Sequence, residues 1–364
     1  MYNWQHKDWA EFAYDEQVVN EYALQFAELS GVAMGVFNTL DSAKQQDEII
    51  GIIISEALKT SAIEGEMLSR EDLMSSIRNR LGLNDTLIHV KDKRAENVAL
   101  LMLKVRENYA DKLSEQTIKE WHQALFSNSK YVNAGEYRKG VEPMQIVSGA
   151  FGREVVHYEA PPSDSVPMEM KRFVSWYNDF ETGGNLLKIM VKTAITHLYF
   201  ESIHPFEDGN GRIGRALIEK CLAESLNRSV ILSVSTAIEN DRKRYYAELN
   251  RASMSLEIDD WLVYFAKLLI EAQRNAIDVI NLSIKKARLF DTYANVLNER
   301  QIKVLNKMFD LGAEDFEGGM TTRKYASIAR TTKATATRDL QEMTKLNILL
   351  QKGDGRSTHY ILNL

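Results

Sequence analysis

Apolar residues recur three and four positions apart along most of the chain, which is the spacing of one face of an α-helix. The pattern predicts helices over residues 18–34, 46–58, 94–109, 114–126, 168–180, 187–203, 211–226, 245–253 and 259–282. The segment 187–203 has the most strongly apolar of these faces. We therefore expect a mainly α-helical fold.

One region alternates apolar and polar residues instead. Residues 141–149 and 153–158 show this period of two, and Gly149-Ala-Phe-Gly152 lies between them. The alternation and the glycines predict a β-hairpin. The Pro161-Pro162 pair ends it.

The end of the chain has the pattern of a separate unit. Helical spacing covers residues 298–311, 322–329 and 332–345. Thr331 or Thr332 offers the N-cap of the third helix. Residues 348–351 and 358–362 flank a polar turn, which predicts a second hairpin. Three helices followed by a hairpin are the order of a winged helix-turn-helix.

Composition and charge indicate an ordinary globular protein. Hydrophobic residues make up 45% and charged residues 26% of the 364 residues, and the net charge of −6 argues against a chain coated with nucleic acid. A single cysteine, Cys221, excludes an internal disulfide and favours a reducing compartment. Because the sequence has neither a leader pattern nor a membrane-length apolar run, we expect a cytoplasmic protein.

One polar loop between two predicted helices concentrates chemically useful residues. Pro205 ends the first helix and places His204 at its end. Gly209-Asn210-Gly211 opens the next helix, where backbone N–H groups and the helix N-terminus favour an anion. Arg212 and Arg215 follow one turn apart on the same side.

This combination predicts phosphoryl or nucleotidyl transfer. His204 has the chemistry of a general base, and the two guanidinium groups suit a polyphosphate. Asp208 adds a carboxylate for Mg²⁺, which one or two carboxylates and phosphate oxygens commonly hold. The alternative interpretation of the same residues is a helix N-cap beside a surface ion-pair cluster.

The string His204-Pro-Phe-Glu-Asp-Gly-Asn-Gly-Arg-Ile-Gly-Arg215 resembles the Fic motif HPFx(D/E)GNGRxxR at every specified position. The resemblance implies His204 as general base and Asp208 as magnesium ligand. It implies that residues 209–211 hold the α- and β-phosphates of ATP and that Arg212 and Arg215 hold the rest of the triphosphate. The implied fold is a Fic helical core with a β-hairpin flap.

The resemblance extends to both sides of that core. It implies that the hairpin at 141–158 holds a target segment by strand addition, the alternative being a structural cover. Tyr245 and Tyr246 resemble the adenine-side tyrosines of the family, although tyrosines at helical spacing are more often core residues. Ser253 stands where many relatives have asparagine.

An upstream segment matches the inhibitory pattern of the family, (S/T)xxxE(G/N). It runs from Thr60 through Glu64 to Gly65, after an apolar helix. The implied role is that Glu64 pairs with Arg215 and thereby restrains the enzyme from the N-terminal side of its own chain. The alternative is a helix terminus with an exposed carboxylate.

The expected organisation is therefore threefold. A helical N-terminal domain over 1–110 carries the inhibitory motif at 60–65, and Trp4, Trp9, Phe12 and Tyr14 anchor it. The catalytic core and a connecting helix cover 111–290, and the winged helix-turn-helix covers 291–364. Basic residues dominate 321–356, which predicts either a DNA-binding face or a protein-contact module.

The expected function is transfer of AMP from Mg·ATP to a hydroxyl of a target protein and of the enzyme itself, by a homodimer. The Gly-Asn-Gly form resembles the AMP-transferring majority of the family. Three alternatives remain open: a DNA-binding regulator with a nucleotide-sensing core, a Fic enzyme that also removes AMP, and a Fic enzyme that transfers phosphate or phosphocholine.

Overall fold

A computed structural model of the chain describes residues 1–148, 155–310 and 319–363. These residues are mainly helical, as predicted. Contacts divide the chain into two compact units, residues 1–277 and 278–364; the threefold division stays a prediction. Among the described residues, no helix is long and apolar enough to cross a membrane.

The first unit contains the helices α1 Asn20–Phe37, α2 Ser42–Ile63, α3 Arg70–Arg80, α4 Lys93–Glu107, α5 Glu115–Phe126, α6 Val166–Asp179, α7 Leu186–Ile203, α8 Asn210–Ser225, α9 Val234–Asn240, α10 Arg242–Ala252 and the start of α11 Asp259–Tyr293. Side chains cap many of their N-termini, for example those of Asp41, Ser114 and Asn185. Each accepts a bond from a backbone N–H that the helix leaves unpaired.

Three differences from the sequence-based helices have physical reasons. Helix α2 is longer than predicted, because Asp41 caps its start and apolar positions continue to Ile63. Thr60 therefore lies on α2 rather than after it. The short, polar α3 and the short α9 were not predicted, since each buries too few residues to show a clear period.

Helix α7 is the central element of the first unit. Every residue from 189 to 203 is buried. Helices α1, α6 and α8 pack around it, so α7 is apolar on all sides. The C-terminus of this rigid helix carries His204.

The first strand of the first hairpin begins later than predicted. Strands β1 Gln145–Ser148 and β2 Val155–Glu159 pair antiparallel, with an irregularity between Ile146 and Val147. Residues 141–144 are not part of the strand, and the predicted turn at 149–152 lies outside the described residues. The flap prediction therefore applies to a hairpin whose base alone is described.

Aromatic residues near the N-terminus contact helices α6 and α7. Trp9 and Phe12 form edge contacts with Tyr199 of α7, and the Trp9 indole donates to Glu169 of α6. Asn3 is fully buried. The segment is thus a strap across the first unit.

The second unit contains the end of α11, helices α12 Glu299–Asp310, α13 Thr322–Ala329 and α14 Lys333–Lys345, and the antiparallel strands β3 Leu349–Lys352 and β4 His359–Leu362. Val304, Tyr325, Leu340 and Leu349 belong to its core. Thr332 caps α14. The element order agrees with the sequence, and the winged-helix interpretation stays a prediction.

Candidate active site

The site is built where α7 ends and α8 begins. His204 adopts a left-handed conformation, with φ 49° and ψ 60°, and this turns the chain away from the axis of α7. The buried Arg138 holds this end: its Nε donates to the His204 carbonyl at 2.8 Å, and its backbone N–H donates to the Pro205 carbonyl at 2.9 Å. The side chain and the backbone of Arg138 thereby satisfy carbonyls that a helix C-terminus leaves unpaired.

A second buried residue supports the loop from α5. His122 stacks on Phe206 with ring centroids 3.9 Å apart, and its Nδ1 accepts the Gly135 N–H at 2.9 Å. The Nε2–H then donates to the Asp208 carbonyl at 3.1 Å. Burial lowers the pKa of His122 to about 4, so the neutral ring has one donor and one acceptor, and the loop uses both.

The structure gives Asn210 a role that the motif alone did not indicate. Its side-chain amide donates to the Phe206 carbonyl at 2.8 Å and accepts the Phe206 N–H at 2.9 Å. Asn210 is 2% exposed. Its side chain therefore holds the loop together through Phe206 and is not available to a nucleotide. Its backbone N–H remains at the start of α8.

Gly209 makes that start of α8 possible. Its φ of 81° is left-handed, and a Cβ at this position would lie 2.5 Å from Phe126. Asp208 precedes it, and the Asp208 side chain is 56% exposed. This carboxylate beside a helix N-terminus fits a magnesium ion that phosphate oxygens also bind.

Arg215 is buried against the end of α2. Its Nε donates to the Thr60 hydroxyl at 2.7 Å, and its Nη2 donates to the Thr60 carbonyl at 3.0 Å and to Glu64 at 2.6 Å. Burial raises the pKa of Glu64, but Arg215 outweighs it, and the net pKa lies below the ordinary value. Gly65 continues the chain with a left-handed φ of 80°.

Arg212 has carboxylate partners of its own. Its Nη1 lies 3.1 Å from Glu66 and its Nη2 lies 3.3 Å from Asp208, while the guanidinium stands over the Phe126 ring. Sequence reasoning missed Glu66, which lies one residue beyond the inhibitory pattern. Both motif arginines are therefore paired with acids of the segment that follows α2.

A buried acid lies close to the His204 ring. Glu201 lies one turn earlier on α7, with its Oε2 3.8 Å from Nδ1 of His204. Burial raises the pKa of Glu201 to about 8, whereas burial and Arg138 lower the pKa of His204 to about 4. His204 is therefore neutral at neutral pH and able to accept a proton.

The predicted adenine-side tyrosines have different surroundings. Tyr245 is buried, and its hydroxyl lies 2.8 Å from Nε2 of His197 in the core. Tyr246 is 42% exposed and lines a cavity of about 660 Å³. Glu201, Arg242 and Asn250 line the same cavity.

The cavity reaches the last turn of α7, just before the loop, and takes its walls from four parts of the first unit. They are the end of α2, the base of the hairpin, the end of α7 and helix α10. Ser253 lines it while its carbonyl accepts the Asn3 N–H at 2.7 Å, so the N-terminal strap supports this wall. A volume of this order holds a nucleotide-sized molecule.

Two family models match the chain. The Fic/DOC family model matches residues 112–222, which include the whole loop from His204 to Arg215. A domain of unknown function, DUF4172, matches residues 2–83. Thr60, Glu64 and Glu66 thus lie in one matched region and both arginines in the other.

Curated relatives match part of the chain. The chain is 32% identical over 158 residues to protein adenylyltransferase fic-1 of Caenorhabditis elegans, a match that covers 43% of this chain and 27% of that protein. It is 34% identical over 95 residues to a probable protein adenylyltransferase of Aquifex aeolicus, covering 26% of each. The chain thus spans about a quarter of the length of these relatives.

Solved structures share the fold over a larger part of the chain. A Fic family protein from Desulfovibrio desulfuricans G20 has a TM-score of 0.55 at 19% identity and covers 97% of both chains. Fic-1 from Caenorhabditis elegans has a TM-score of 0.51 at 23% identity and covers 73% of this chain and 75% of that chain. These likenesses confirm the mainly helical fold with Fic-fold neighbours.

Proposed function

Residues 112–222 form a Fic/DOC family domain, and from this premise we propose that the chain is a protein adenylyltransferase that moves AMP from Mg·ATP to a hydroxyl of a target protein. Relatives named protein adenylyltransferase support the reaction class. The observation that carries the proposal is the placement of His204, Asp208 and two arginines around one helix start beside a nucleotide-sized cavity.

The reaction assigns His204 the role of general base. The target hydroxyl gives its proton to the imidazole as its oxygen attacks the α-phosphorus of ATP. The bond from that phosphorus to the bridging oxygen breaks, and pyrophosphate leaves. The lowered pKa of His204, about 4, keeps the imidazole unprotonated before the step.

The residues of the α8 start bind the triphosphate. Backbone N–H groups of 209–211 offer an anion site at a helix N-terminus, and Arg212 and Arg215 supply charge for the outer phosphates. Asp208 and phosphate oxygens would hold Mg²⁺, which neutralises charge on the leaving pyrophosphate. Tyr246 on the cavity wall offers a ring face to the adenine.

Glu64 restrains this activity. As long as it pairs with Arg215, the guanidinium that suits the terminal phosphate is occupied. The Arg215 side chain is 1% exposed, so ATP must displace Glu64 to reach it. Loss of the Glu64 carboxylate therefore frees Arg215 for substrate.

The proposal is tested with α-labelled ATP. Glu64→Gly is expected to label itself faster than the unmodified protein, and His204→Ala in the same background is expected to lose about 10²–10⁴-fold in rate. Mass spectrometry of the product must show an added AMP. A Glu64→Gly protein that incorporates no label, although it is folded, contradicts the assigned reaction.

The same assay separates the other transfers. Label from γ-labelled ATP instead of α-labelled ATP would identify a phosphotransferase. If neither form of ATP labels the protein but a choline-containing nucleotide modifies it, the reaction is phosphocholine transfer. Loss of AMP from a modified target on addition of the unmodified enzyme would identify removal. The homodimer, the cytoplasmic location and target binding along 141–158 stay predictions.

The second unit favours a further candidate, binding to DNA. Exposed basic residues of this unit include Arg323, Arg330, Lys333, Arg338 and Lys352. A gel shift with duplex DNA tests this, with Arg338→Ala and Lys333→Ala expected to weaken binding and its salt dependence. No shift at low salt would leave protein contact as the role of residues 321–356.

A further inference from the structure

Glu201 is a buried acid that the proposed reaction has not used. It lies on α7 three residues before His204, and its Oε2 is 3.8 Å from Nδ1 of His204. Nδ1 of His204 and Oε1 of Glu201 are both buried and have no hydrogen-bond partner within the part of the chain that the structure describes. Burial lowers the pKa of the His204 imidazole, and the interaction of the ring with the backbone of Glu201 raises that pKa. Glu201 also lines the cavity. Its Oε2 faces His204, whereas the unpartnered Oε1 faces Gly214 of α8.

The neighbouring helix leaves room for this carboxyl. Gly214 of α8 faces Glu201, and a Cβ there would overlap Oε1 of Glu201 and lie 3.1 Å from the His197 ring. Any larger residue at 214 would displace the carboxyl. The packing of α7 against Gly214 of α8 thus leaves space for a buried acid. A buried acid costs free energy unless it is paired.

We propose that Glu201 is a positioning residue for the transfer: its carboxylate accepts a hydrogen bond from Nδ1–H of His204, so that Nε2 presents its lone pair to the target hydroxyl. This rests on the proposed function. The 3.8 Å separation is longer than a hydrogen bond. Catalytic contacts are commonly long without substrate and shorten in its presence.

The orientation follows from which nitrogen is buried. The His204 side chain is 13% exposed and its Nδ1 is fully buried, so the accessible part of the ring is the part that carries Nε2. When Nε2 takes the proton from the hydroxyl, the ring becomes an imidazolium. The Glu201 carboxylate then faces that positive charge at Nδ1, as the third group of a nucleophile–base–orienter set does.

Ionisation of Glu201 decides which tautomer His204 adopts. A protonated Glu201 donates to Nδ1, which leaves the ring proton on Nε2 and blocks the base. An ionised Glu201 accepts from Nδ1–H, which leaves Nε2 free. Since burial raises the pKa of Glu201 to about 8, the base-competent form increases as the pH rises through that value.

Several charged or titratable groups face Glu201 and set this pKa. Arg215 of α8 lowers it, and Glu64 at the end of α2 raises it. Other titratable groups near it are His197 and His204 on α7, Tyr245 and Tyr246 on α10, and Tyr158 on β2. His157 of β2 and Arg242 and Lys243 of α10 line the same cavity as Glu201. The tyrosines have raised pKa values and stay neutral across this range.

The kinetic test uses the Glu64→Gly enzyme, whose activity is the separate test of the proposed function. We expect Glu201→Gln in that background to lower kcat by about 10–100-fold with little change in KM for ATP. The rise of kcat with pH that ionisation of Glu201 causes is expected to disappear; in this background it lies below pH 8, because Glu64, which raises the pKa of Glu201, is absent. Glu219→Gln is the matched control, because Glu219 is equally buried but pairs with Arg106 at 2.7 Å.

A spectroscopic test needs no activity. The ¹⁵N shifts of the His204 ring nitrogens, assigned with His204→Ala, report which nitrogen carries the proton. In the unmodified protein, we expect the shifts to show that the ring proton moves from Nε2 to Nδ1 as the pH rises, with a midpoint near pH 8. In Glu201→Gln we expect the shifts to stay constant over this range. Identical His204 shifts or identical kcat profiles with and without the Glu201 carboxyl, in folded protein, would overturn the proposal, whereas an inactive Glu64→Gly enzyme alone would not.

Discussion

Glu66 lies 3.1 Å from Arg212, one residue beyond the glycine that follows Glu64. The Arg212 side chain is 3% exposed and that of Glu66 is 27% exposed. The pair therefore joins the inhibitory segment to the first motif arginine, in the same way that Glu64 joins it to the second. Release of Arg215 alone leaves Arg212 occupied.

We predict that Glu66→Gln added to Glu64→Gly lowers KM for ATP by about 2–10-fold relative to Glu64→Gly alone. The reason is that Arg212 no longer has to leave the Glu66 carboxylate and keeps only Asp208 as an acidic partner. Glu71→Gln is the control, since Glu71 is exposed on α3. Equal KM values for the single and the double variant would mean that Glu66 has no share in the restraint.

Asn210 offers a test of the loop itself. Asn210→Ala leaves the buried N–H and carbonyl of Phe206 without their side-chain partner, which costs about 1–3 kcal/mol per group. We expect a lower free energy of unfolding in denaturant titration and a loss of nucleotide binding. Asn210→Asp keeps the acceptor for the Phe206 N–H, so we expect its free energy of unfolding to lie between those of the unmodified protein and Asn210→Ala. Unchanged stability in Asn210→Ala would refute the stapling role.

The N-terminal strap is expected to shape the cavity. The Asn3 side chain donates to Ser202 at 2.7 Å, and its backbone N–H donates to Ser253. Asn3→Ala should therefore raise KM for ATP more than it lowers kcat, because the wall loses support while the base stays in place. Gln5→Ala, at an exposed position of the same strap, serves as the control. A selective loss of kcat would contradict this reasoning.

The Glu64–Arg215 pair predicts a pH dependence of stability. The pKa of Glu64 in the folded protein lies below the ordinary value of 4.5, so its ionised form is favoured by folding. This stabilisation is present above that value and is lost as the pH falls through the folded pKa. The difference in melting temperature between the unmodified protein and Glu64→Gln should narrow on acidification below about pH 4.5. A difference independent of pH would exclude the pair as its source.

The sequence predicted the elements that have strong periods or caps. Helix α7 and the loop from His204 to Arg215 followed from apolar spacing and from Pro205 and the glycines. Arg138 and His122 were missed as supports of the loop, because they lie 66 and 86 residues from the atoms they hold. No local pattern encodes such contacts.

Glu66 and Glu201 show a different reason for a miss. Each lies close to a motif residue in sequence, but an acid at helical spacing is ordinarily a solvated one. Only burial, an unpartnered oxygen and a glycine on the facing helix distinguish Glu201. Those are properties of packing between α7 and α8 and have no local sequence signature.

The bond from Arg215 to the Thr60 carbonyl couples two events thermodynamically. One guanidinium holds the last turn of α2 and, under the proposed function, also binds an incoming phosphate, so the helix end and the anion would compete for it. If nucleotide binding destabilises that turn, a ligand that stabilises the turn weakens nucleotide binding. The two effects have the same coupling free energy. A partner that stabilises or destabilises the end of α2 would therefore change the nucleotide affinity of the site without contacting the loop.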